Sequence, residues 1–299
     1  MARVAFNPLR PVLPFLKWAG GKGQLLDQFE GLLPPTLEGR GYVEPFMGSA
    51  AVFFAVVQTR RPARCTLLDT NPNLVNLYLQ VRDHLDALVP LLAEHQARHN
   101  APGLSEEERK VYYYRVRAAQ PAPGSPEAAA RFLYLNKTCF NGLHRLNSKG
   151  QFNVPMGSYT SPVIYTRAHL EAASALLQGV VIEVASFRHC ERYIADGDFV
   201  YFDPPYEPLS TTSSFTAYAA DTFTRDDQVA LRDLAERLSG RCDWMLSNST
   251  SPFIEALYTR PGMYQTRVSA SRSINSVAGG RGKIAELVVT SFPARAFTT

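Results

Sequence analysis

Residues 41–50 read Gly41-Tyr42-Val43-Glu44-Pro45-Phe46-Met47-Gly48-Ser49-Ala50. Residues 41–46 are a short apolar run closed by Gly48, and residues 50–57 have the pattern of a helix. Arg64-Cys65-Thr66-Leu67-Leu68-Asp69 follows as a second buried strand, and then the helical spacing of Leu74, Leu77, Tyr78 and Val81. Strand, glycine turn, helix and strand open a doubly wound parallel sheet. Five further β-like runs come late, at 180–184, 199–203, 244–247, 263–268 and 287–292, with helical patterns at 167–177 and 226–238 between them. From residue 76 to 162 this rhythm stops. The interval holds helical stretches at 106–117 and 126–135, separated by Pro121-Ala122-Pro123-Gly124. The expectation is an α/β, Rossmann-like domain built from residues 1–75 and 163–299, interrupted by a mostly helical inserted domain at 76–162.

Composition sets the outer limits. With 299 residues, 45% hydrophobic and 19% charged, the chain is globular, and disordered or low-complexity classes are excluded. Its longest charge-free apolar stretch, residues 45–59, is 15 residues long, short of the about 18 that cross a bilayer, so no membrane association is expected. The first 15 residues carry Arg3, Arg10 and three prolines without a continuous apolar run, unlike a signal peptide. A cytoplasmic chain, monomeric, is the expectation. Cys65, Cys139, Cys190 and Cys242 are 74, 51 and 52 residues apart, which gives no metal-ligand spacing, and no metal is expected.

The net charge of +4 is unevenly distributed. Residues 1–26, 128–170 and 256–285 contain 14 of the 31 Lys and Arg and no acid, so the rest of the chain stands at −10. The middle segment interleaves Arg131, Lys137, Arg145, Lys149 and Arg167 with Phe132, Tyr134, Phe140, Phe152, Tyr159 and Tyr165. Basic residues alternating with aromatic ones suit a phosphate backbone whose bases are stacked or wedged, and a polyanion partner is expected.

Two candidate sites emerge. Gly48 after the first strand lets a cofactor approach the backbone, and Asp69, 21 residues further on, ends the second strand where an acid can bind ribose hydroxyls. This arrangement serves any adenosine-bearing cofactor, and the missing GxGxxG argues against an ordinary NAD site. The second candidate is Asp203-Pro204-Pro205-Tyr206, at the carboxyl end of the apolar run Phe199-Val200-Tyr201-Phe202. Two prolines hold their carbonyls as rigid acceptors, so carboxylate and carbonyl make an all-acceptor pocket for an NH₂ group, and Tyr206 offers a ring to the base that bears it. An exocyclic amine on adenine or cytosine is a poor nucleophile because its lone pair is delocalised into the ring. Acceptors on its protons favour pyramidal geometry and stabilise the developing positive charge.

At these residues the chain resembles the DNA adenine N6-methyltransferases of the Dam type, in the α group of amino methyltransferases. The resemblance is carried by Phe15-Leu16-Lys17-Trp18-Ala19-Gly20-Gly21-Lys22, Val43-Glu44-Pro45-Phe46-Met47-Gly48, Asp69-Thr70-Asn71 and Asp203-Pro204-Pro205-Tyr206-Glu207-Pro208-Leu209-Ser210. Residues 132–155 and Arg272-Ser273-Ile274 with Gly279-Gly280 complete it. It runs over nearly the whole chain and is thin only at about 84–124. It implies an S-adenosyl-L-methionine-dependent methyltransferase domain with an inserted DNA-recognition domain, acting on a flipped adenine in double-stranded DNA, usually within GATC.

The resemblance also implies residue roles. Trp18, Lys22, Asp69 and Asp203 match cofactor-contacting positions, with Glu44, Phe46 and Gly48 lining the pocket. Asp203, Pro204, Pro205 and Tyr206 match the catalytic loop. Lys17, Leu143, Arg145, Pro155 and Tyr159 match DNA-reading positions, and Phe140 and Asn141 match a wedge and its neighbour. Lys149 is expected at a phosphate. Ala50 stands where the family commonly has a second glycine, Phe140 where relatives often have tyrosine, and Lys137, Thr138 and Cys139 also depart from the pattern. The alternatives are N4-cytosine methylation, which the same acceptor pocket supports, and a DNA-binding protein without turnover.

Overall fold

The computed structural model describes residues 11–208, 223–271 and 283–294. Outside them lie Arg3, Arg10 and Arg281 of the basic segments, Leu209 and Ser210, and the block Arg272-Ser273-Ile274 with Gly279-Gly280. The helices are α1 (Leu26–Phe29), α2 (Ala51–Thr59), α3 (Pro72–Asp83), α4 (Leu85–His99), α5 (Glu106–Ala118), α6 (Pro126–Thr138), α7 (Arg167–Leu177), α8 (Arg225–Leu238) and α9 (Pro252–Leu257). The strands are β1 (Gly41–Glu44), β2 (Arg64–Asp69), β3 (Val181–Val184), β4 (Phe199–Phe202), β5 (Asp243–Ser249), β6 (Tyr264–Ser271) and β7 (Lys283–Thr290). Among the described residues no helix is long and apolar enough to cross a membrane. The chain divides into two compact units: Met1–Gly21, Gly48–Phe54 and Asn71–Val184 form one, and Lys22–Met47, Ala55–Thr70 and Ala185–Thr299 the other.

The first unit is mainly helical. Three of its helices start where the sequence provides a cap: Asn71 Oδ1 accepts from the amides of Asn73 and Leu74 before α3, Ser105 and Glu108 form a capping box on α5, and Ser125 caps α6 ahead of Pro126. α6 packs against α3, α4 and α5, and α7 against α3, around fully buried Leu77, Tyr78, Leu88, Leu92, Tyr113, Leu133 and Tyr134. The sequence reading has no counterpart to α4. Pro90 lies inside that helix and interrupts its pattern, yet buried Leu88, Val89 and Leu92 hold it in place.

In the second unit six strands run in the order β2-β1-β4-β5-β7-β6. β2, β1, β4 and β5 are parallel, and β7 is antiparallel to both its neighbours. All four residues of β1 and of β4 are buried, which is why β4 reads as a continuous apolar run and β1 as one closed by the buried Glu44, rather than as alternating strands. α8 contributes Leu231, Leu234, Ala235 and Leu238 from one face to a core with Val43, Leu68, Val200, Phe202, Trp244, Leu246 and Val289. From β1 the chain crosses outward to β2, and from β4 outward to β5, while β1 and β4 pair through Tyr42↔Phe199 and Val43↔Val200. The crevice outside their carboxyl ends is therefore the topological switch point, where open α/β sheets bind ligands.

Candidate active site

Glu44 closes β1, and Asp203 follows β4 immediately, so two carboxylates leave neighbouring strands at that switch point. Lys22 comes to the same place and is 3% exposed, with its Nζ 2.7 Å from Asp203 Oδ1 and 4.8 Å from the centre of the Tyr206 ring. Asp203 Oδ1 is fully sequestered, while the side chain as a whole keeps 21% of its surface. The exposed part of the carboxylate is therefore on the Oδ2 side. Enclosure of the carboxyl raises its pKa above the usual carboxylate value, the Lys22 ammonium opposes that rise, and the Glu286 carboxylate adds to it.

The two prolines are not equivalent. Gln228 Nε2 donates to the Pro205 carbonyl at 2.9 Å, and Asn248 Nδ2 donates in turn to Gln228 Oε1 at 3.0 Å. Both amides are buried. That leaves Pro204 as the member of the pair whose carbonyl accepts no hydrogen bond among the described residues. Tyr206 Oη donates to Glu286 Oε2 at 2.6 Å, and burial together with the carboxylates of Asp203 and Glu286 pushes this phenol well above its ordinary pKa.

The residues expected to hold a cofactor in this unit lie on adjacent strand ends. Glu44 is 2% exposed, and its Oε2 accepts from Tyr42 Oη at 2.7 Å. Phe46 stacks on Phe187, with centroids 5.4 Å apart and planes at 25°, and meets the edge of Phe223. Asp69 ends β2 half-exposed, its carbonyl accepting from the Ala185 amide at 3.1 Å. Carboxylates for cationic and hydroxyl groups beside an aromatic face fit a positively charged adenosine derivative.

The first unit brings together the other expected positions. Trp18 stacks on His144 at 5.7 Å and lies 6.4 Å from Phe132. Gly48 has φ +47°, and a Cβ there would sit 2.9 Å from Trp18 Cδ1. The glycine thus serves the approach of this indole as well as the turn. Ala50 has φ +51° and is fully buried, so the left-handed turn persists where the family commonly has glycine. Gly48→Ala is expected to cost about 1–3 kcal/mol by overpacking and to displace Trp18. The checks are a lowered thermal midpoint together with a changed tryptophan emission, and an unaltered emission would show that the indole does not rest on Gly48.

Lys17, Phe140, Asn141, Leu143, Arg145, Lys149, Pro155 and Tyr159 lie on or beside one hairpin. It is closed by the Leu146↔Phe152 and Cys139↔Met156 bridges, and Phe140 N donates to the Pro155 carbonyl at 2.9 Å. Phe140 and Leu143 are exposed apolar side chains, at 51% and 37%, and Asn141 has φ +53° between them. Arg145 Nε donates to Asn153 Oδ1 at 2.7 Å, and Lys149 occupies the tip, where its amide donates to Asn147 Oδ1. Lys17 Nζ lies 4.0 Å over the Tyr159 ring.

Sequence reading missed what fixes Lys17. Asn136 Oδ1 accepts from the Lys17 amide at 2.8 Å, and Asn136 Nδ2 donates to the Lys17 carbonyl at 2.6 Å and to that of Gly142 at 3.4 Å. Gly142, with φ +66°, leaves no room for a Cβ beside the Lys17 side chain. His144, which has no role in the sequence reading, has its pKa lowered to about 4 by burial and is a neutral ring packed among Trp18, Phe132 and Phe152.

Residues 18–274 match the family described as D12 class N6 adenine-specific DNA methyltransferase. The type II methyltransferase M.MjaIII of Methanocaldococcus jannaschii is 40% identical over 94% of this chain and 99% of its own. M1.LlaDCHI of Lactococcus lactis subsp. cremoris, also a type II methyltransferase, is 39% identical over 93% and 95%. The DNA adenine methylase of Escherichia coli K12 is 35% identical over 93% and 95%.

Proposed function

We propose, on the premise that this chain belongs to the D12 class N6 adenine-specific DNA methyltransferase family, that the pocket at Asp203-Pro204-Pro205-Tyr206 methylates the N6 amine of an adenine flipped out of duplex DNA. The observation that carries this reading is the Asp203 carboxylate, with Oδ1 held by Lys22 and the Oδ2 side open, at the switch point of the sheet. Asp203 Oδ2 and the Pro204 carbonyl are the two acceptors for the N6 protons, and the Tyr206 ring takes the face of the base. As the N6–C bond forms and the methyl carbon–sulfur bond breaks, its electron pair staying on sulfur, these acceptors stabilise the positive charge on nitrogen, and Asp203 Oδ2 receives the proton that N6 sheds. S-adenosyl-L-methionine supplies a methyl group already activated as a sulfonium. Lys22, Glu44, Phe46 and Asp69 are its proposed binding residues in the second unit, and for Trp18 and Gly48 the cofactor role rests on the family resemblance.

The family description supports adenine over N4-cytosine and turnover over mere binding. The hairpin residues support the Dam-type target GATC, with Phe140 as the wedge, Asn141 beside it, and Lys17, Leu143, Arg145, Pro155 and Tyr159 as readers. Incubation with duplex DNA and isotopically labelled S-adenosylmethionine, followed by mass analysis of nucleosides, is expected to yield labelled N6-methyladenine. Labelled N4-methylcytosine, or no labelled base, would overturn the proposal. Methylation mapping in a methylation-free host then reads the sequence context.

A pH dependence follows from the ion pair. The acceptor form of Asp203 is the carboxylate, so kcat is expected to fall as pH drops through a pKa that lies above the ordinary carboxylate value. Lys22 lowers that pKa, and Lys22→Met is expected to move the acid limb of the kcat profile to higher pH, whatever it does to cofactor affinity. A limb that stays in place would separate Asp203 from the titration.

A further inference from the structure

The Asp203–Tyr206 loop is fixed at three points, and two of them explain themselves. Lys22 holds the carboxylate and Gln228 holds the Pro205 carbonyl. The third is unexpected: a tyrosine that offers only its ring face to a base has no need of its hydroxyl, yet Tyr206 Oη donates to Glu286 Oε2 at 2.6 Å. Glu286 lies within β7 and is in register with both Ser249 of β5 and Val268 of β6, so its backbone is held from two sides. A ring tied at Cβ and again at its para oxygen can no longer swing, and the preference of the phenol O–H for the ring plane biases its tilt.

We propose that Glu286 is a positioning residue that orients the Tyr206 ring for the target base by accepting the phenol hydrogen bond. The inference rests on the catalytic-loop reading above. It assigns the carboxylate a role as hydrogen-bond acceptor, so the amide oxygen of glutamine is a competent substitute. The charge-assisted form of the bond makes its loss expensive and places the effect in the ordering of the reacting pair.

The test is the single-turnover rate of methyl transfer on duplex DNA, with DNA and cofactor affinities and the thermal midpoint measured on each variant. Glu286→Ala and Tyr206→Phe are each expected to slow the step about tenfold with both affinities unchanged. Their combination should be no slower than either alone, because both remove one bond. Glu286→Gln is expected to recover most of the rate. A wild-type rate for Tyr206→Phe, multiplying losses in the double variant, or Glu286→Gln as slow as Glu286→Ala would overturn the inference. If Glu286→Ala does not fold, Tyr206→Phe decides, with Tyr206→Phe/Glu286→Gln, which is expected to match it. Asp203→Ala in the same assay separates the two readings. Full activity there ends the catalytic-loop reading itself, whereas an inactive Asp203→Ala beside wild-type rates for Tyr206→Phe and Glu286→Ala ends only the role of Glu286.

Discussion

Asp203→Ala is expected to slow methyl transfer by about 100-fold or more while the protein still folds and binds DNA. The size follows from what is removed: an acceptor aimed at charge that develops only in the transition state, in a pocket where the Pro204 carbonyl is left as the other acceptor. Asp203→Asn keeps the volume and one carbonyl oxygen, but it presents an NH₂ to a site that must receive one, so it is expected to be nearly as slow. Binding should be little affected, because the residues proposed to grip DNA belong to another part of the chain. The measurement is single-turnover methylation at saturating DNA and cofactor, beside DNA affinity and a thermal melt. A rate within a few-fold of the unaltered protein would remove Asp203 from the chemistry.

The position of this acid was legible because β4 is buried on both faces. Phe199-Val200-Tyr201-Phe202 reads as one apolar run, and the first polar residue after it must lie at its carboxyl end. The same logic located β1 and β2. Strand direction was not legible for β7, whose apolar run carries no sign of polarity and which turns out antiparallel to both β5 and β6. The supports of the site were hidden for a different reason. Glu286 and Tyr206 are 80 residues apart, Gln228 lies on a helix full of charged residues, and Asn248 sits in a strand otherwise read by its apolar start. One signal was available. Ser247, Asn248 and Ser249 are three polar residues in succession at the end of a buried strand, and polar side chains there need partners. Likewise Asn136 is a buried amide among the mostly apolar buried residues of its helix, and it serves the backbone of Lys17.

Arg145→Ala is expected to cost about 1–3 kcal/mol at the cognate site and to relax discrimination at one base position. In the hairpin Arg145 Nε is engaged by Asn153 Oδ1, and the Arg145 carbonyl accepts from the Asn153 amide at 3.0 Å, so the guanidinium is exposed but not free to wander. One edge of the fork is spent on the hairpin, and the outer edge remains for guanine O6 and N7, which no other base pair presents in that arrangement. This makes Asn153 part of the same reader: Asn153→Ala should weaken the preference while leaving the arginine in place. Lys149 differs in kind. It stands at the hairpin tip, where Asn147 Oδ1 accepts from its amide and, among the described residues, no hydrogen bond or ion pair holds its ammonium. Its loss should weaken all sequences alike and lower the salt slope by about 1. Methylation rates on GATC and its single-base variants, measured at two salt concentrations, distinguish the two. If Arg145→Ala slows every substrate equally and leaves the preference intact, the arginine grips the backbone, and sequence is read by other residues of the hairpin.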